Sequence, residues 1–360
     1  MSYWKLFRLN FEGNPVHFGE LGIGMEETSD RIHSDTLFSA WISAYARLFG
    51  KDAVEELLQQ FQTQEEPPFR LSSTFIYRQV EGENIYYLPR PFKRPINYPK
   101  HDFDFAKEYK KLNYLPLKIW QCWYQGQGWT KSDEEELKAK AKAKKGDKID
   151  GELTKAGTFE YGEAFKKGKV PKIAVDRITR ATNIYHTNFV YFQKDAGLYF
   201  LVEFSKPEFE NTFLNVLKFL GEEGLGGERS SGAGQFEVDN SSIELTPEWD
   251  KWVQVVNFKF DKGNFHSLIS LFWENPLASD LLDREGKLKE ESSYELLRRG
   301  GWISSSPSGS QRRRKSIQMF EEGSVFSVKP MGKLANVTPD GFSSHSVYRS
   351  GISLSLPIKV

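Results

Sequence analysis

Residues 224–236, GLGGERSSGAGQF, place five glycines around a Glu-Arg-Ser-Ser core. Successive backbone N–H groups without side chains in the way can surround an anion, and Arg229 would add a forked donor for a phosphate. A Walker loop would need a Lys followed by Ser or Thr after its second glycine. A dinucleotide-binding fingerprint would need a strand before it and a helix after it, which is the reverse of the order predicted here. The segment therefore predicts contact with a nucleic-acid backbone or, with equal weight, a tight turn that needs positive φ.

A second group of residues with binding chemistry lies in DRITRATNIYH, residues 176–186. Arg177, Arg180 and Tyr185 interleave cations with an aromatic ring, and single-stranded RNA is held by cations at its phosphates and by rings against its bases. The alternative is a β-hairpin with alternating exposed cations. We favour RNA contact.

Two histidines, His17 and His33, flank the first glycine-rich loop and could serve a metal-free endoribonuclease as general acid or base. The alternative is a structural role for both.

His101 and Asp102 form a pair found in metal phosphohydrolases, but no further ligands can be assigned, so we predict neither a metal nor a cofactor. Asp35 suits a helix N-cap better than catalysis.

The net charge, the cysteine count and the hydropathy of the chain limit the kinds of binding site and the classes of protein that are possible. The 49 basic and 49 acidic residues give a net charge of zero, so any RNA site must be a local patch. One such patch is the basic stretch QRRRKS at 311–316, which suits phosphates, an acidic partner surface or only solvent. A single cysteine, Cys122, excludes an internal disulfide. No apolar run approaches the roughly 20 residues of a membrane helix and no signal peptide is evident, so we expect a soluble cytoplasmic protein.

The elements that must position these groups begin with an alternating strand at 3–11. A helix follows from Ser34 or Asp35, either of which can cap it, to Gly50, which ends it, and a short helix comes next. Strands at 69–80 and 84–89 complete an order of strand, helix and hairpin that opens a ferredoxin-like βαββαβ unit.

The remaining chain predicts an α+β protein of two units. The nearly apolar-free segment within 126–168 predicts an exposed helix or a mobile insertion. Strands at 183–192 and 197–204 and a helix at 207–221 lead into the glycine segment, and the second half is β-rich. The predicted domains are 1–245 and 246–360.

Several segments together resemble one family. PVHFGELGIG, IHSDTLFSA and GLGGERSSGAGQF are similar to the RAMP superfamily of CRISPR proteins. Within it, they most resemble the subunit that caps the guide-RNA (crRNA) 5′ handle in type III-A (Csm) effector complexes. DRITRATNIYHT, YELLRRGGWI, RRRKSIQMFEEGSVF and RSGISLSLPIKV add to this resemblance, which covers most of the chain and fails mainly in the charged segment.

The resemblance implies two ferredoxin-like (RRM-type) units, a glycine loop that holds the crRNA 5′ handle, and a thumb at about 170–190. It implies docking between a large polymerase/cyclase-like signalling subunit and a repeated RAMP backbone subunit, with no nuclease activity of its own. The residues predicted to contact RNA are His17, Phe18, Gly19, His33, Ser34, Arg177, Arg180, Tyr185, Gly226, Gly227, Arg229, Ser230, Ser231 and Gly232.

The sequence thus predicts a non-catalytic crRNA-binding subunit of an antiviral ribonucleoprotein. Two alternatives stay open. One is a metal-independent endoribonuclease that processes CRISPR repeat RNA with His17 or His33. The other is a protein scaffold without RNA contact.

Overall fold

The computed structural model describes residues 3–19, 27–64, 66–99, 104–144, 146–239, 265–303 and 312–360. Its helices are α1 (Ser34–Thr63), α2 (Ala106–Lys111), α3 (Leu117–Tyr124), α4 (Lys131–Lys142), α5 (Glu152–Lys155) and α6 (Glu210–Glu223). Its strands are β1 (Tyr3–Asn10), β2 (Phe69–Leu71), β3 (Phe75–Val80), β4 (Glu83–Pro89), β5 (Tyr114–Pro116), β6 (Phe165–Val175), β7 (Thr182–Phe192), β8 (Ala196–Phe204), β9 (Glu237–Val238), β10 (Phe265–Leu268), β11 (Leu296–Arg299), β12 (Ile317–Phe320), β13 (Val325–Phe326), β14 (Leu334–Asn336), β15 (Tyr348–Ser350) and β16 (Ser355–Ile358).

An antiparallel sheet in the order β5-β4-β3-β8-β1-β9 forms the centre of the first unit, and β2 also pairs with β8. The predicted strand at 3–11 is confirmed as β1, and the predicted 69–80 run is two strands, β2 and β3. The strand beside β1 is β8, whose nine residues are all buried, rather than one of the 69–89 strands. A strand distant in sequence therefore completes the middle of the sheet.

Helices α1 and α6 cover one face of this sheet with a largely aromatic core. The indole of Trp41 stacks on Phe213, with ring centroids 5.1 Å apart, and its Nε1 donates to the Phe213 carbonyl at 3.1 Å. Helix α1 is interrupted at Gly50, whose φ of 85° and ψ of −178° are not helical, so the predicted end at Gly50 and the second short helix are confirmed. The predicted cap is wrong, because His33 is the N-cap residue and no side chain caps the helix.

The helix predicted in the charged segment is confirmed as α4, but one of its faces packs on the rest of the fold, so the expectation of a wholly exposed helix or a mobile insertion is wrong. Thr130 and Asp133 form a capping box at the start of α4, and Asp133 also accepts a hydrogen bond from the indole of Trp123 at 3.1 Å. Leu137 is fully buried in the aromatic core on the second face of the sheet. The Glu136 carboxylate accepts hydrogen bonds from the backbone at the start of α5. Few apolar residues are enough here because Leu137 is buried and the carboxylates of Asp133 and Glu136 add buried hydrogen bonds.

Strands β6 and β7 form a long hairpin that leaves the first unit. Its base is buried, with Val190 bridged to Val16 in the first loop. Its far end is exposed, and the residues around the turn at 176–181 have no buried member. The hairpin lies in the region predicted to be a thumb.

The described C-terminal part is built from small antiparallel sheets, as the β-rich prediction requires. These are β13-β10-β16, β11-β12 and β14-β15. They pack directly on the first unit, since Ile269, Leu354 and Leu356 share a hydrophobic core with Trp4 and Trp120. The molecule is thus a mixed α/β protein with antiparallel sheets. The predicted domain boundary near 245 lies outside the described residues, as do His101 and Asp102. In the described ranges, no helix is both long and apolar enough to cross a membrane.

Candidate nucleic-acid interface

The glycine segment is a compact loop whose two arms lie against each other. Leu225 N donates to Gly234 O at 2.8 Å, and Gly226 and Gly234 have φ of 98° and 85°. A Cβ on Gly234 would lie 2.2 Å from Leu225 O. Backbone geometry therefore requires glycine at both positions, which agrees with the interpretation of this segment as a tight turn. Gly232 differs, because a Cβ there would meet nothing within 4 Å.

The glycine loop is seated on the first loop, so the structure brings together two groups of predicted site residues. Gly227 N donates to His17 O at 2.8 Å. A Cβ on Gly226 would lie 2.5 Å from the same carbonyl oxygen and 3.0 Å from the Phe18 ring. One surface is thus formed by His17, Phe18, Gly226 and Gly227. Its shape depends on the two glycines, which have no side chain to push the loops apart.

Most backbone N–H groups of the glycine loop donate hydrogen bonds within the protein. Few of them are therefore left for the predicted anion-binding concavity. Gly227, Ser231, Gly232 and Gly234 all donate their N–H groups to backbone carbonyls. Among the described residues, no acceptor is present for the N–H groups of Arg229 and Ser230. Both residues are exposed, as are Ser231 and Gly232. The part of the loop that can meet a phosphate is therefore its tip.

Two residues that sequence reasoning missed tie the hairpin to this tip. Glu228 has a left-handed backbone conformation, with φ of 60°, and its carboxylate binds the ammonium of Lys172 on β6 and the hydroxyl of Ser231. The hydrogen bond from Lys172 lowers the pKa of Glu228, and the Lys172 charge and the Ser231 hydroxyl lower it further. The Ser231 hydroxyl is thus engaged within the protein. The sequence prediction placed no strand and no site residue within 169–175, so no local signal marked Lys172.

The ring of His17 is buried and oriented by the hairpin. Its Nδ1 lies 2.8 Å from the Asn188 carbonyl oxygen on β7, so Nδ1 carries the proton and donates it there. The other nitrogen, Nε2, lies 3.5 Å from the position of a Cβ on Gly19. His17, Gly19 and the glycine loop are therefore held together by one hairpin.

The predicted hairpin residues lie at and near its exposed end. Arg177 and Arg180 are in the turn, which the Asp176 carboxylate closes by accepting the N–H groups of Ile178 and Thr179. These hydrogen bonds lower the pKa of Asp176. Tyr185 lies opposite Lys172 in the β6–β7 register. The cations at the tip are thus separated from the glycine loop by the strand segment that follows Lys172.

His33 and Ser34 are 4% and 2% exposed, His33 lines the cleft described below, and their contact with RNA stays a prediction. Nδ1 of His33 is 2.8 Å from Oε1 of Glu322, and Arg31 pairs with the same carboxylate. Burial alone would raise the pKa of Glu322, but Arg31 and His33 hold it well below its usual range. The Ser34 hydroxyl accepts the N–H of Leu271 at 2.9 Å. Both residues join the first unit to the C-terminal part.

Asp35 makes a second buried ion cluster beside the first. Its carboxylate accepts hydrogen bonds from Arg299, at 3.0 and 3.1 Å, and from Arg349. Asp35 is fully buried and both arginines are 2% exposed. The prediction that it suits a helix cap is wrong, because its carboxylate serves two arginines of the C-terminal part instead. The same contacts leave this carboxylate without access to a substrate.

A cleft of about 650 Å³ lies between the first unit and the C-terminal part. We call it the interdomain cleft. One wall carries Phe18, Gly19 and the glycine-loop residues Gly226, Gly227 and Arg229. The C-terminal part contributes the other wall, which includes Arg299, Gly300, Gly301, Trp302, Arg314 and Arg349. Within the described ranges, no cluster of three or more His, Cys, Asp or Glu residues could hold a metal ion.

Comparison with known proteins identifies relatives across the whole chain. Residues 261–358 match the family model of the CRISPR Csm4 C-terminal domain. The chain is 24% identical to the CRISPR system Cms protein Csm4 of Thermococcus onnurineus, over 92% of this chain and 93% of that protein. It is 25% identical to the protein of that name from Methanocaldococcus jannaschii, over 95% and 94% of the two chains. The Streptococcus thermophilus protein of that name is 24% identical over the full length of both.

Solved structures show the same fold. A chain in the crystal structure of the Csm3-Csm4 subcomplex of the type III-A CRISPR-Cas interference complex superposes with a TM-score of 0.59 and 20% identity, over 99% of this chain and all of that one. A chain of the Csm1-Csm4 cassette in complex with cA4 gives a TM-score of 0.53 and 18% identity, over 100% and 99%.

Proposed function

We infer the function from the premise that this chain is a Csm4-family RAMP protein of the type III-A CRISPR system. It is a subunit of the Csm interference complex that bridges the large signalling subunit and the repeated RAMP backbone subunit, and it caps the 5′ handle of the crRNA. One observation carries the RNA-binding part. The tip of the glycine loop exposes Arg229 with two unused amides beside the interdomain cleft.

The architecture of the first unit supports the ferredoxin-like prediction. The strands β3, β8, β1 and β9 lie side by side in that order, and α1 and α6 follow the first and third strands of the βαββαβ path. That order is the one a ferredoxin-like unit requires. We extend the proposal to an RRM-type first domain ending near 245. The second ferredoxin-like unit and the span 246–360 stay predictions.

The handle would be held by phosphate contacts rather than by base readout at the loop. Phosphates suit the Arg229 fork and the N–H groups of Arg229 and Ser230. His17, Phe18, Gly19, Gly226 and Gly227 would shape the floor beneath them. Arg177, Arg180 and Tyr185 would meet the strand farther out on the hairpin, where the thumb is predicted. A protein that acts in such a complex would lie in the cytoplasm.

Catalysis by this chain is not part of the proposal. A metal-free nuclease needs a histidine that can exchange protons with the substrate. His33 is instead buried and bound to Glu322, and the contact of His17 with Asn188 orients its ring without engaging Nε2. We therefore propose a binding role for the loop and a structural role for His33.

The test mixes the full chain with a labelled single-stranded RNA that carries the repeat-derived 5′ handle, across a salt series, with and without EDTA. Arg229→Ala should weaken binding about tenfold, because a charge-assisted contact to phosphate is lost. Arg284→Ala removes an exposed cation outside the cleft and should leave affinity unchanged. Intact, handle-dependent retention supports the proposal. Cleavage that survives EDTA would establish the endoribonuclease instead, and equal affinity of the two variants would reject the loop as the clamp.

A further inference from the structure

Two arginines, one from each part of the chain, line the interdomain cleft and have no carboxylate partner among the described residues. Arg229 belongs to the glycine loop and Arg314 to the basic stretch that precedes β12. Among the described residues, neither forms an ion pair, whereas Arg47 and Arg31 on the same lining pair with Glu223 and Glu322. The cleft therefore presents one unneutralised cation on each side.

The wall behind Arg314 carries more positive charge than its acidic residue can neutralise. Asp35 is shared by Arg299 and Arg349, so three arginines stand beside one carboxylate. Arg349 is 2% exposed, and its Nε has no hydrogen-bond partner although the group lines the cleft. A buried donor without a partner is costly, and the positive charge of this wall would be offset by an anion in the cleft.

The pKa values of Arg349 and Arg314 are both lowered by burial, and that of Arg314 is also lowered by a neighbouring positive charge. Burial lowers the pKa of Arg349 to about 10. Burial also lowers the pKa of Arg314, and the Arg299 charge lowers it further. The repulsion between Arg314 and Arg299 is present in the unliganded cleft. A bound anion would offset it.

We propose that Arg314, supported by Arg299 and Arg349, binds a phosphate of single-stranded RNA on the wall that the C-terminal part contributes to the interdomain cleft. The proposal rests on the proposed function and extends it to a second phosphate subsite. A strand passing through the cleft would be contacted by Arg229 on one wall and Arg314 on the other. The occupant is a polynucleotide rather than a free nucleotide, because the unpaired cations lie on both walls.

The absence of side chains at Gly300 and Gly301 agrees with close approach of a ligand backbone to this wall. Gly301 has φ of 117°, and a Cβ there would meet nothing within 4 Å, so its neighbourhood is open. The hydrogen bond from Arg314 Nε to Trp302 O, at 3.1 Å, fixes the guanidinium while leaving its two Nη groups for an anion. Arg314 is therefore oriented before any ligand arrives.

The experiment measures retention of the labelled handle RNA by the full chain carrying Arg314→Gln, with Arg312→Gln as the matched control. Arg312 lies two residues away, is exposed and does not line the cleft. Arg314→Gln should weaken binding about tenfold, and the slope of log affinity against log salt should fall by about 0.7, the value for one phosphate contact on a single strand. Arg312→Gln should change neither.

Stability separates binding from a structural role. Removing Arg314 relieves repulsion with Arg299, so the Tm of Arg314→Gln should equal or exceed that of the unmodified chain. A large fall in Tm would instead assign Arg314 to the packing of this wall and overturn the proposal.

Two further outcomes are decisive. If Arg229→Ala weakens RNA binding and Arg314→Gln behaves like Arg312→Gln, the second subsite is rejected while the proposed function stands. If neither substitution changes RNA affinity, the proposed function fails as well. If ATP displaces the RNA as effectively as unlabelled handle RNA at equal nucleotide concentration, the cleft takes free nucleotides and the proposal is overturned.

Discussion

At the scale of single residues, Asp35 carries much of the connection between the two parts of the chain. Its carboxylate is fully buried, and the two arginines that it neutralises come from β11 and β15. Charge removed from water is tolerated only where it is paired. The carboxylate therefore stabilises the fold chiefly by neutralising buried cations.

We predict that Asp35→Asn lowers the free energy of unfolding by about 3–5 kcal/mol, because it leaves two buried arginines without a counter-charge. Chemical denaturation of the full chain measures this. Asp340→Asn is the matched control, since Asp340 pairs with Lys315 but is 94% exposed, and its denaturation midpoint should not move. Equal midpoints for the two variants would contradict the assignment.

Residue roles of this kind could not be predicted from the sequence. Asp35 and its partners are separated by 264 and 314 positions, and His33 and Glu322 by 289. Local reasoning sees an acid and a serine at a helix start and expects a cap. The long-range arginine contacts decide otherwise, because a buried guanidinium needs the carboxylate more than the helix end does.

At the scale of elements, local signals predicted the main strands of the first unit and the helices α1 and α6. Gly50 interrupts α1 because its backbone has positive φ, and a glycine after an apolar helical repeat is a local signal for such a break. The place of β8 between β1 and β3 was not predictable from spacing, because more than one hundred residues separate it from β3. The glycine loop was found from its composition, but its anchor, Lys172, was not.

The glycine loop itself yields a prediction with an internal control. Gly226→Ala should destabilise the protein by about 2–5 kcal/mol, because a side chain there is strained by φ of 98° and would lie 2.5 Å from the His17 carbonyl oxygen. Gly232→Ala has a similar φ but open space around it, so about 1–2 kcal/mol is expected. Thermal and chemical denaturation measure both. A larger loss of stability for Gly232→Ala than for Gly226→Ala would show that the contact between the glycine loop and the first loop contributes little.

At the scale of the whole molecule, the two parts share their cores and their charges. Leu356 and Ile358 of β16 are buried with Trp4 of β1 and Trp120 of α3, although they come from opposite ends of the chain. The two buried ion clusters cross the same boundary. Each part thus completes the interior of the other.

We therefore predict that residues 1–239 expressed alone lack the cooperative unfolding transition of the full chain. Truncation would expose the apolar residues that β10 and β16 cover and would leave Asp35 and His33 without their partners. Circular dichroism during heating checks this. A cooperative melt at the Tm of the full chain would show that the first unit is independent.

The bond between Lys172 and Glu228 has a mechanical consequence. It fastens the hairpin to the glycine loop about one third of the way from the turn, so the outer strands form an arm pivoted on the loop. A strand advances about 3.3 Å per residue, and displacements grow in proportion to distance from a pivot. A small tilt of the loop would thus be magnified at Ile178, 93% exposed at the end of the arm. The hairpin is therefore a lever whose pivot is the glycine loop.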